Sequence, residues 1–192
     1  MSVAAKVARK VKRLPRGRAF TIAVFLECGS ENAVRTALSR QVKRGHLVNV
    51  ARGIYARPKP TRYLGSSLPG PEEVARAIAR ASGERLAPHG AEVARRLGLS
   101  TQVPMKAVFY TTGRTRSLKV GNTHVHFEHA SEALVRNTDS AAGLALLALR
   151  YLGRQHVTAD VLRALTRRVP AEDLLREQHA PAWLRERLEA CG

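Results

Sequence analysis

The 192-residue sequence has few of the residues on which several large protein classes depend. Its two cysteines, Cys28 and Cys191, are too few and too far apart for a disulfide framework or a zinc finger, which fits a reducing cytoplasm. The longest apolar run covers residues 141–149, whereas a membrane-spanning helix needs about 20 apolar residues. Because no secretory signal is recognisable near the N-terminus either, we expect a cytoplasmic protein.

Enzyme signatures are also lacking. The sequence has no Walker loop, no G-x-G-x-x-G after a strand, no H-E-x-x-H and no G-x-S-x-G. Cys28 falls in a predicted buried helix, where a small core residue is expected rather than a nucleophile. We therefore predict that the protein is not an enzyme and uses no cofactor.

Acidic residues are scarce in the first third of the chain. Residues 1–62 contain 15 Lys and Arg against two acids, Glu27 and Glu31, so this third carries +13 of the total formal charge of +18. The pattern indicates a polyanionic partner for the N-terminal segment. A membrane surface fits less well, because the first predicted helix has only Val and Ala opposite its charges. RNA is the weaker nucleic-acid alternative, because aromatic residues for stacking make up only 5%.

The N-terminal segment has the pattern of a winged helix-turn-helix. Apolar residues at helical spacing predict a helix that stops before Pro15, a short helix after Thr21, and a third helix between Ser30 and Gly45. Two short apolar runs around Gly53 then predict a β-hairpin. The order of three helices and a hairpin predicts a DNA-binding domain over residues 1–60.

The remainder predicts a second domain. Pro-rich residues lead into a predicted linker at 61–70. Residues 71–192 then show two helices, three strands between 106 and 129, and a helical tail. The predicted fold class is α+β: an N-terminal winged helix-turn-helix, then a small α+β domain with a short antiparallel sheet and C-terminal helices.

The third predicted helix carries the candidate reading face. Opposite its apolar side it has short hydrogen-bonding and basic residues, and no acid follows Glu31. Asn pairs with adenine, Arg with guanine, and Ser and Thr with either base, whereas other cations contact phosphates. With the flanking turns and the hairpin tip, the predicted DNA-binding residues are Arg16, Arg18, Thr21, Asn32, Arg35, Thr36, Ser39, Arg40, Lys43, Arg44 and Arg52.

A cluster of histidines and a carboxylate lies on a predicted strand. His124, His126 and Glu128 fall on one face of that strand, and His129 falls on the other. They are weak candidates for a transition-metal site, because no further ligand is obviously placed to complete the coordination shell. The favoured interpretation is the polar face of a half-exposed strand, with no metal bound.

Four segments together resemble a known family. They are ARGIY at 51–55, PEEVA at 71–75, LGLSTQVP at 97–104 and VFYTTG at 108–113. Over about residues 1–155 the chain resembles the AbiEi-type antitoxins of bacterial type IV toxin–antitoxin systems, which are associated with abortive phage infection. The resemblance implies autorepression, in which two chains bind an inverted-repeat operator in double-stranded DNA through the winged helix.

The same resemblance implies neutralisation of a co-transcribed nucleotidyltransferase-like toxin, without a stable complex being required. It places this activity in the C-terminal domain, where the basic candidates are Arg114, Arg116 and Lys119. Because the chain is shorter than many two-domain members of that family, a stand-alone winged-helix regulator without a toxin is the alternative.

Overall fold

The computed structural model describes residues 1–61, 65–103 and 105–190, and it divides the chain into two compact units. The first unit comprises Met1–Glu84 and Arg116–His126, and the second comprises Arg85–Thr115 and Phe127–Gly192. Within the described ranges, no helix combines the length and the apolar character that crossing a bilayer requires.

Helices and short strands alternate along the chain. The α-helices are α1 (Val3–Arg13), α2 (Glu31–Lys43), α3 (Pro71–Ser82), α4 (Gly90–Arg96), α5 (Glu132–Arg136), α6 (Ala141–Leu152), α7 (Ala159–Thr166), α8 (Ala171–Arg176) and α9 (Ala182–Glu189). Short 3-10 helices span Ile22–Cys28, Asn137–Asp139 and Arg154–His156. The strands are β1 (Ala19–Thr21), β2 (Val48–Ala51), β3 (Ile54–Ala56), β4 (Lys59–Thr61), β5 (Gly65–Ser67), β6 (Leu86–Pro88), β7 (Ala107–Thr111), β8 (Arg116–Val120) and β9 (Thr123–His129).

The first unit begins with α1, whose sequence defines both of its ends. The Ser2 hydroxyl accepts a hydrogen bond from the Ala5 backbone N–H at 3.3 Å, and Pro15 follows one residue after the C-cap. Val7 and Val11, four residues apart, are fully buried and turn one side of α1 toward the core. That core also contains Phe25, Val34, Leu38 and Leu47 from the elements that follow.

A three-stranded antiparallel sheet of order β1-β3-β2 completes this core. Phe20 of β1 pairs with Tyr55 of β3, and both side chains are buried. The β2–β3 connection turns at Gly53, whose φ of +74° favours glycine. The predicted hairpin is therefore present, with the short strand β1 added at its edge.

Residues of the predicted linker also form structure in the first unit. β4 and β5 pair as an antiparallel hairpin, while residues 62–64 of that linker lie outside the described residues. α3 follows, and it buries Val74, Ala75 and Ala77 while packing beside β1. The compact units thus differ from the predicted boundaries at 60 and 71, because the apolar side of α3 is covered within the first unit. β8 and the first residues of β9 also belong to the first unit and lie side by side.

The second unit combines a small sheet with helices. β6 pairs antiparallel with β7, and the last residues of β9 lie along the other edge of β7. The helical core contains Leu149 of α6, Leu162 and Leu165 of α7, Leu174 of α8 and Leu184 of α9.

Gly143 allows one close approach in this unit. A Cβ atom at that position would lie 1.4 Å from the Asn137 carbonyl oxygen. The Asn137 carbonyl group can therefore lie this close to α6 only because Gly143 has no side chain.

The α+β fold class is confirmed, since helices and small antiparallel sheets share the chain. The helices expected before Pro15 and after Ser30 are present as α1 and α2, and the two expected between residue 71 and the strands are present as α3 and α4. The sequence did not indicate β1, β6 or the β4–β5 hairpin. Each of these strands has only three residues, too few for an alternating pattern.

Candidate nucleic-acid interface

α2 separates an apolar side from a polar one. Val34, Ala37 and Leu38 are buried in the core of the first unit, and the Gln41 side chain is buried beside them. Val42 packs against the same core, and most of the other helical positions face solvent. The exposed set includes seven of the predicted DNA-binding residues: Asn32, Arg35, Thr36, Ser39, Arg40, Lys43 and Arg44.

The N-terminal half of this face is internally paired. The Arg35 guanidinium contacts one Glu31 carboxylate oxygen, at 3.0 Å from Nε and 2.5 Å from Nη2. Both side chains are about half exposed, at 54% for Arg35 and 55% for Glu31, so solvent and an incoming ligand reach the pair. The Thr36 hydroxyl donates to the Asn32 carbonyl at 3.0 Å, which leaves its oxygen able to accept a hydrogen bond.

The C-terminal half of this face carries unpaired cations. Arg40, Lys43 and Arg44 are exposed, and among the described residues no carboxylate lies within 4.0 Å of their charged groups. The acids nearest in sequence are engaged elsewhere: Glu31 with Arg35, and Glu27 with the Lys10 ammonium at 2.6 Å. The hydrogen bond from Lys10 lowers the pKa of Glu27, so this carboxylate stays ionised. The end of α2 thus presents three positive charges to solvent.

A basic cavity of about 470 Å³ lies in the first unit next to this end of α2. Arg57 donates to the carbonyl oxygens of Lys12 and Leu14, at 2.8 and 3.0 Å, and Arg16 donates to the Pro58 carbonyl at 3.2 Å. These bonds hold two guanidinium groups in place at the cavity wall. The lining contains no carboxylate; its residues are Ala8, Val11, Lys12, Arg16, Gln41, Arg44, Gly45, His46, Arg57 and Pro58.

The sequence did not indicate Lys12, His46 and Arg57 as members of a common site. His46 is positioned by the hydrogen bond between its Nδ1 and Gln41 Oε1, at 2.9 Å. The members lie up to 45 positions apart, and they come together because α1 packs beside α2 and Arg57 bonds to the end of α1. The positive charge of Lys12 and Arg57 was the available signal, but charge alone does not specify such a grouping.

The other predicted contacts in the first unit differ in exposure. Arg52 is exposed at the β2–β3 turn, as expected for the tip of a hairpin. Arg18 is exposed, with its Nε 4.0 Å from a Glu73 carboxylate oxygen. The Thr21 hydroxyl is buried without a hydrogen-bond partner and does not cap the Ile22–Cys28 helix, because Thr21 pairs with Ile54 in the sheet. A hydroxyl in that position does not reach a ligand at the surface.

The predicted C-terminal basic candidates lie in different surroundings. Arg114 and Lys119 are exposed. Arg116 is half-buried, and its Nη2 lies 2.7 Å from a Glu84 carboxylate oxygen. That Glu84 contact neutralises part of the charge of Arg116.

The histidine-rich strand β9 alternates as expected, with Val125 and Phe127 buried and exposed or half-exposed residues between them. His126 Nδ1 lies 2.7 Å from the Ser117 hydroxyl, whereas His124 is exposed. Within residues 1–61, 65–103 and 105–190, no three His, Cys, Asp or Glu side chains are grouped to hold a metal ion. Of the weak metal candidates His124, His126 and Glu128, Glu128 has its Oε2 4.0 Å from His89 Nε2.

A histidine that the sequence did not single out forms a cluster in the second unit. His89 Nδ1 accepts a hydrogen bond from the Ala91 N–H at 3.2 Å at the start of α4. The His89 ring packs against Tyr110 and Tyr151, with ring centroids 4.8 and 5.5 Å away. Burial lowers the pKa of His89, which favours the neutral ring that this helix cap requires. The cluster is therefore explained by the fold of the second unit.

Comparison with known proteins identifies a family. The chain belongs to the DUF6088 family, described as a family of unknown function, because the family's model matches residues 6–175. Neither the curated proteins nor the solved structures contain a match to this chain.

Proposed function

We propose that this member of the DUF6088 family is a sequence-specific double-stranded DNA-binding protein. In this proposal the first unit is a winged helix-turn-helix, and α2 enters the major groove. The observation that carries the proposal is the exposed face of α2, which combines hydrogen-bonding side chains near its start with unpaired cations at its end. A helix face meant only for solubility normally mixes Glu with Lys or Arg.

The order of elements supports this assignment. α1, β1, the Ile22–Cys28 helix, α2 and the β2–β3 hairpin follow one another, and the sheet order is β1-β3-β2. In a helix-turn-helix the second helix of the pair reads bases, and α2 is that helix here. The β2–β3 turn with Arg52 is then the wing, whose cation suits a narrow minor groove.

The side chains divide into two roles. Asn32, Arg35, Thr36 and Ser39 have the donors and acceptors that base edges in the major groove require. Arg40, Lys43 and Arg44 supply charge for phosphates, as do the cations around the basic cavity. Contacts of the second kind position the protein, and contacts of the first kind select the sequence.

Buried side chains argue against the alternative polyanions. A membrane surface would need an apolar helix face in solvent, but Val7 and Val11 of α1 are 0% and 2% exposed. Single-stranded RNA would need exposed aromatic rings, but Phe20, Phe25 and Tyr55 are buried in the first unit. Duplex DNA is therefore the partner that fits best.

We further propose that two chains bind an inverted repeat and repress transcription in the cytoplasm. This step, like the neutralisation of a nucleotidyltransferase-like toxin, rests on the sequence resemblance to AbiEi-type antitoxins. A stand-alone regulator is the second candidate. Co-expression of the chain with a neighbouring nucleotidyltransferase-like toxin distinguishes them, because only an antitoxin restores growth.

Selection from a random duplex library tests the DNA-binding proposal directly. We expect the full chain to enrich one motif and to bind it about 1000-fold more tightly than a scrambled duplex. Fluorescence anisotropy with the scrambled duplex, the single strands and an RNA duplex as competitors measures this preference. If no motif is enriched, or if single strands or RNA compete as well as the selected duplex, the proposal is wrong.

A further inference from the structure

We propose that the second unit binds a small amphipathic anion, a carboxylate with an apolar body, in a cleft beside α6. This inference goes beyond DNA binding and does not depend on it. The cleft has a volume of about 340 Å³, and all of its lining residues belong to the second unit. Ligand sites in proteins span about 300–1,000 Å³, so the cleft suits a small molecule rather than a macromolecule.

The walls of the cleft are mostly apolar. Leu146 and Leu147 of α6 lie on its lining, with Leu134, Pro181 and Trp183 contributed by other segments. Trp183 is half-buried, and the Arg187 guanidinium lies 5.4 Å from the centre of its ring. Arg187 also donates to the carbonyl oxygens of Arg154 and Val157, so α9, which contains Trp183, is tied to the 3-10 helix that follows α6. This wall provides a surface for an aliphatic or aromatic body.

The polar groups of the lining are chiefly donors and cations. Arg150 and Arg154 are exposed, and among the described residues neither guanidinium lies within 4.0 Å of a carboxylate. Asn137 Nδ2 lies 3.0 Å from His179 Nδ1 and is a hydrogen-bond donor. The described residues that line the cleft include no acid.

Two arginines beside an apolar wall favour a carboxylate head group. A guanidinium binds a carboxylate through two parallel hydrogen bonds, and the apolar body would be removed from water at the same time. The backbone of duplex DNA lacks such an apolar body and would leave the wall exposed. Arg150 also lies in the last turn of α6, where a cation stabilises the helix end, so ligand affinity rather than protein stability must be the readout.

Calorimetry with three probes tests this proposal on the full chain. Benzoate and octanoate are the anionic probes, and benzamide is the uncharged match to benzoate. We expect at least one anion to bind saturably with a Kd below about 1 mM. Benzamide should bind at least about tenfold more weakly than benzoate. This comparison needs no variant, so it does not depend on how a substitution affects folding.

Two variants localise the binding. The double variant Arg150→Gln and Arg154→Gln removes both positive charges. It is expected to lower the affinity for the anion about tenfold or more. Ala133→Phe fills the cleft from its exposed rim and is expected to abolish binding. Arg167→Gln is the matched control, because Arg167 is exposed in the second unit but does not line the cleft. Circular dichroism verifies that each variant remains folded.

Several results would overturn the proposal. They are the absence of saturation by either anion up to about 10 mM, equal affinity for benzoate and benzamide, and unchanged binding in folded Ala133→Phe. The selection of duplex DNA is measured separately. Loss of DNA binding in a chain that still binds benzoate would refute only the function proposed for the first unit.

Discussion

The first unit has 95 residues, with 19 Lys and Arg against five Asp and Glu, whereas the second has 97 residues, with 14 against ten. Two units of nearly equal length therefore carry formal charges of +14 and +4. Arginine is abundant in both. The first unit has five more cations and five fewer acids than the second, so the two kinds of residue contribute equally to the difference.

Ion pairing shows why this difference matters. In the second unit, acids lie beside many of the arginines, as in the pairs that Glu132 and Asp160 form with Arg136 and Arg163. In the first unit, the acids are all engaged in ion pairs, and they are Glu27, Glu31, Glu72, Glu73 and Glu84. Among the described residues of this unit, Arg40, Lys43 and Arg44 have no carboxylate within 4.0 Å, so their charge is available to an external polyanion.

α4 and α2 illustrate the contrast on single helices. On α4, Glu92 lies 2.7 Å from Arg95 and 2.8 Å from Arg96, so one carboxylate serves two cations. On α2, Glu31 serves Arg35, and the cations at the other end lack such a partner. An arginine-rich helix is thus a candidate DNA-recognition helix only when acids of the same helix do not neutralise the charges of its arginines.

The largest effect is expected from a methyl group in the second unit. Gly143→Ala would place its Cβ 1.4 Å from the Asn137 carbonyl oxygen, so the backbone must shift. We expect a loss of about 3 kcal/mol or more in the free energy of unfolding, measured by urea denaturation. Gly70→Ala in the first unit is the control, because no atom lies within 4 Å of its added Cβ. Equal stability of the two variants would contradict this packing.

Removing the unpaired cations of α2 is expected to have the next largest effect. A triple variant, Arg40→Gln, Lys43→Gln and Arg44→Gln, should lower the affinity for the selected duplex and for the scrambled duplex alike, by about 100-fold at low salt. The slope of log affinity against log salt should decrease by about 2–3. Anisotropy titrations at several salt concentrations measure both quantities.

The matched triple variant changes the second unit at Arg163, Arg167 and Arg176, again to glutamine. These arginines are exposed, and Arg163 and Arg176 already pair with acids. We expect little change in DNA affinity. Equal losses in the two triple variants would eliminate the distinction between the two units.

Arg35→Ala is expected to act on specificity. Loss of a bidentate contact to guanine costs about 1–3 kcal/mol and relaxes the preference at one position of the motif. Repeating the duplex selection with the variant identifies that position. Arg95→Ala on α4 is the control, since Arg95 also pairs with a glutamate of its own helix. If Arg35→Ala retains the full motif and affinity, the reading face is assigned wrongly.

The smallest effect concerns acid stability in the second unit. The hydrogen bond from Arg95 lowers the pKa of Glu92 to about 2, from an ordinary value of 4.5. The folded pKa is the lower one, so this stabilisation is present above pH 4.5 and is lost as the pH falls toward 2.

Glu92→Gln should therefore lower the free energy of unfolding by about 1 kcal/mol at pH 7, after allowance for solvent screening. The difference from the unsubstituted protein should shrink between pH 5 and pH 3, as measured by urea denaturation. Glu186→Gln is the control, because Glu186 forms no ion pair among the described residues. A difference that stays constant with pH would contradict the ion-pair explanation.

Local patterns predicted much of the first unit. Val7 and Val11 at helical spacing, together with Pro15, indicated α1, and Gly53 between two apolar runs indicated the hairpin. The exposed face of α2 followed from the same periodicity, because buried Val34 and Leu38 leave the opposite side to solvent. Such features depend on neighbours within one or two helical turns.

Long-range contacts explain what the sequence could not indicate. β1 exists because Phe20 pairs with Tyr55, 35 positions further along the chain. The same pairing buries the Thr21 hydroxyl, which the sequence assigned to DNA contact. The basic cavity likewise requires α1 and α2 to pack together before Lys12 and His46 become neighbours.

The Glu31–Arg35 ion pair has a consequence for how wrong sequences would be rejected. In the proposed DNA complex, a base that binds Arg35 through Nε and Nη2 competes with the Glu31 carboxylate for the same two nitrogens. An exposed pair of this kind is worth about 0–1 kcal/mol, a threshold that guanine with two acceptors can exceed. A base pair with fewer acceptors for Arg35 would leave this side chain bound to Glu31. The ion pair would thus lower the affinity of α2 for such sequences.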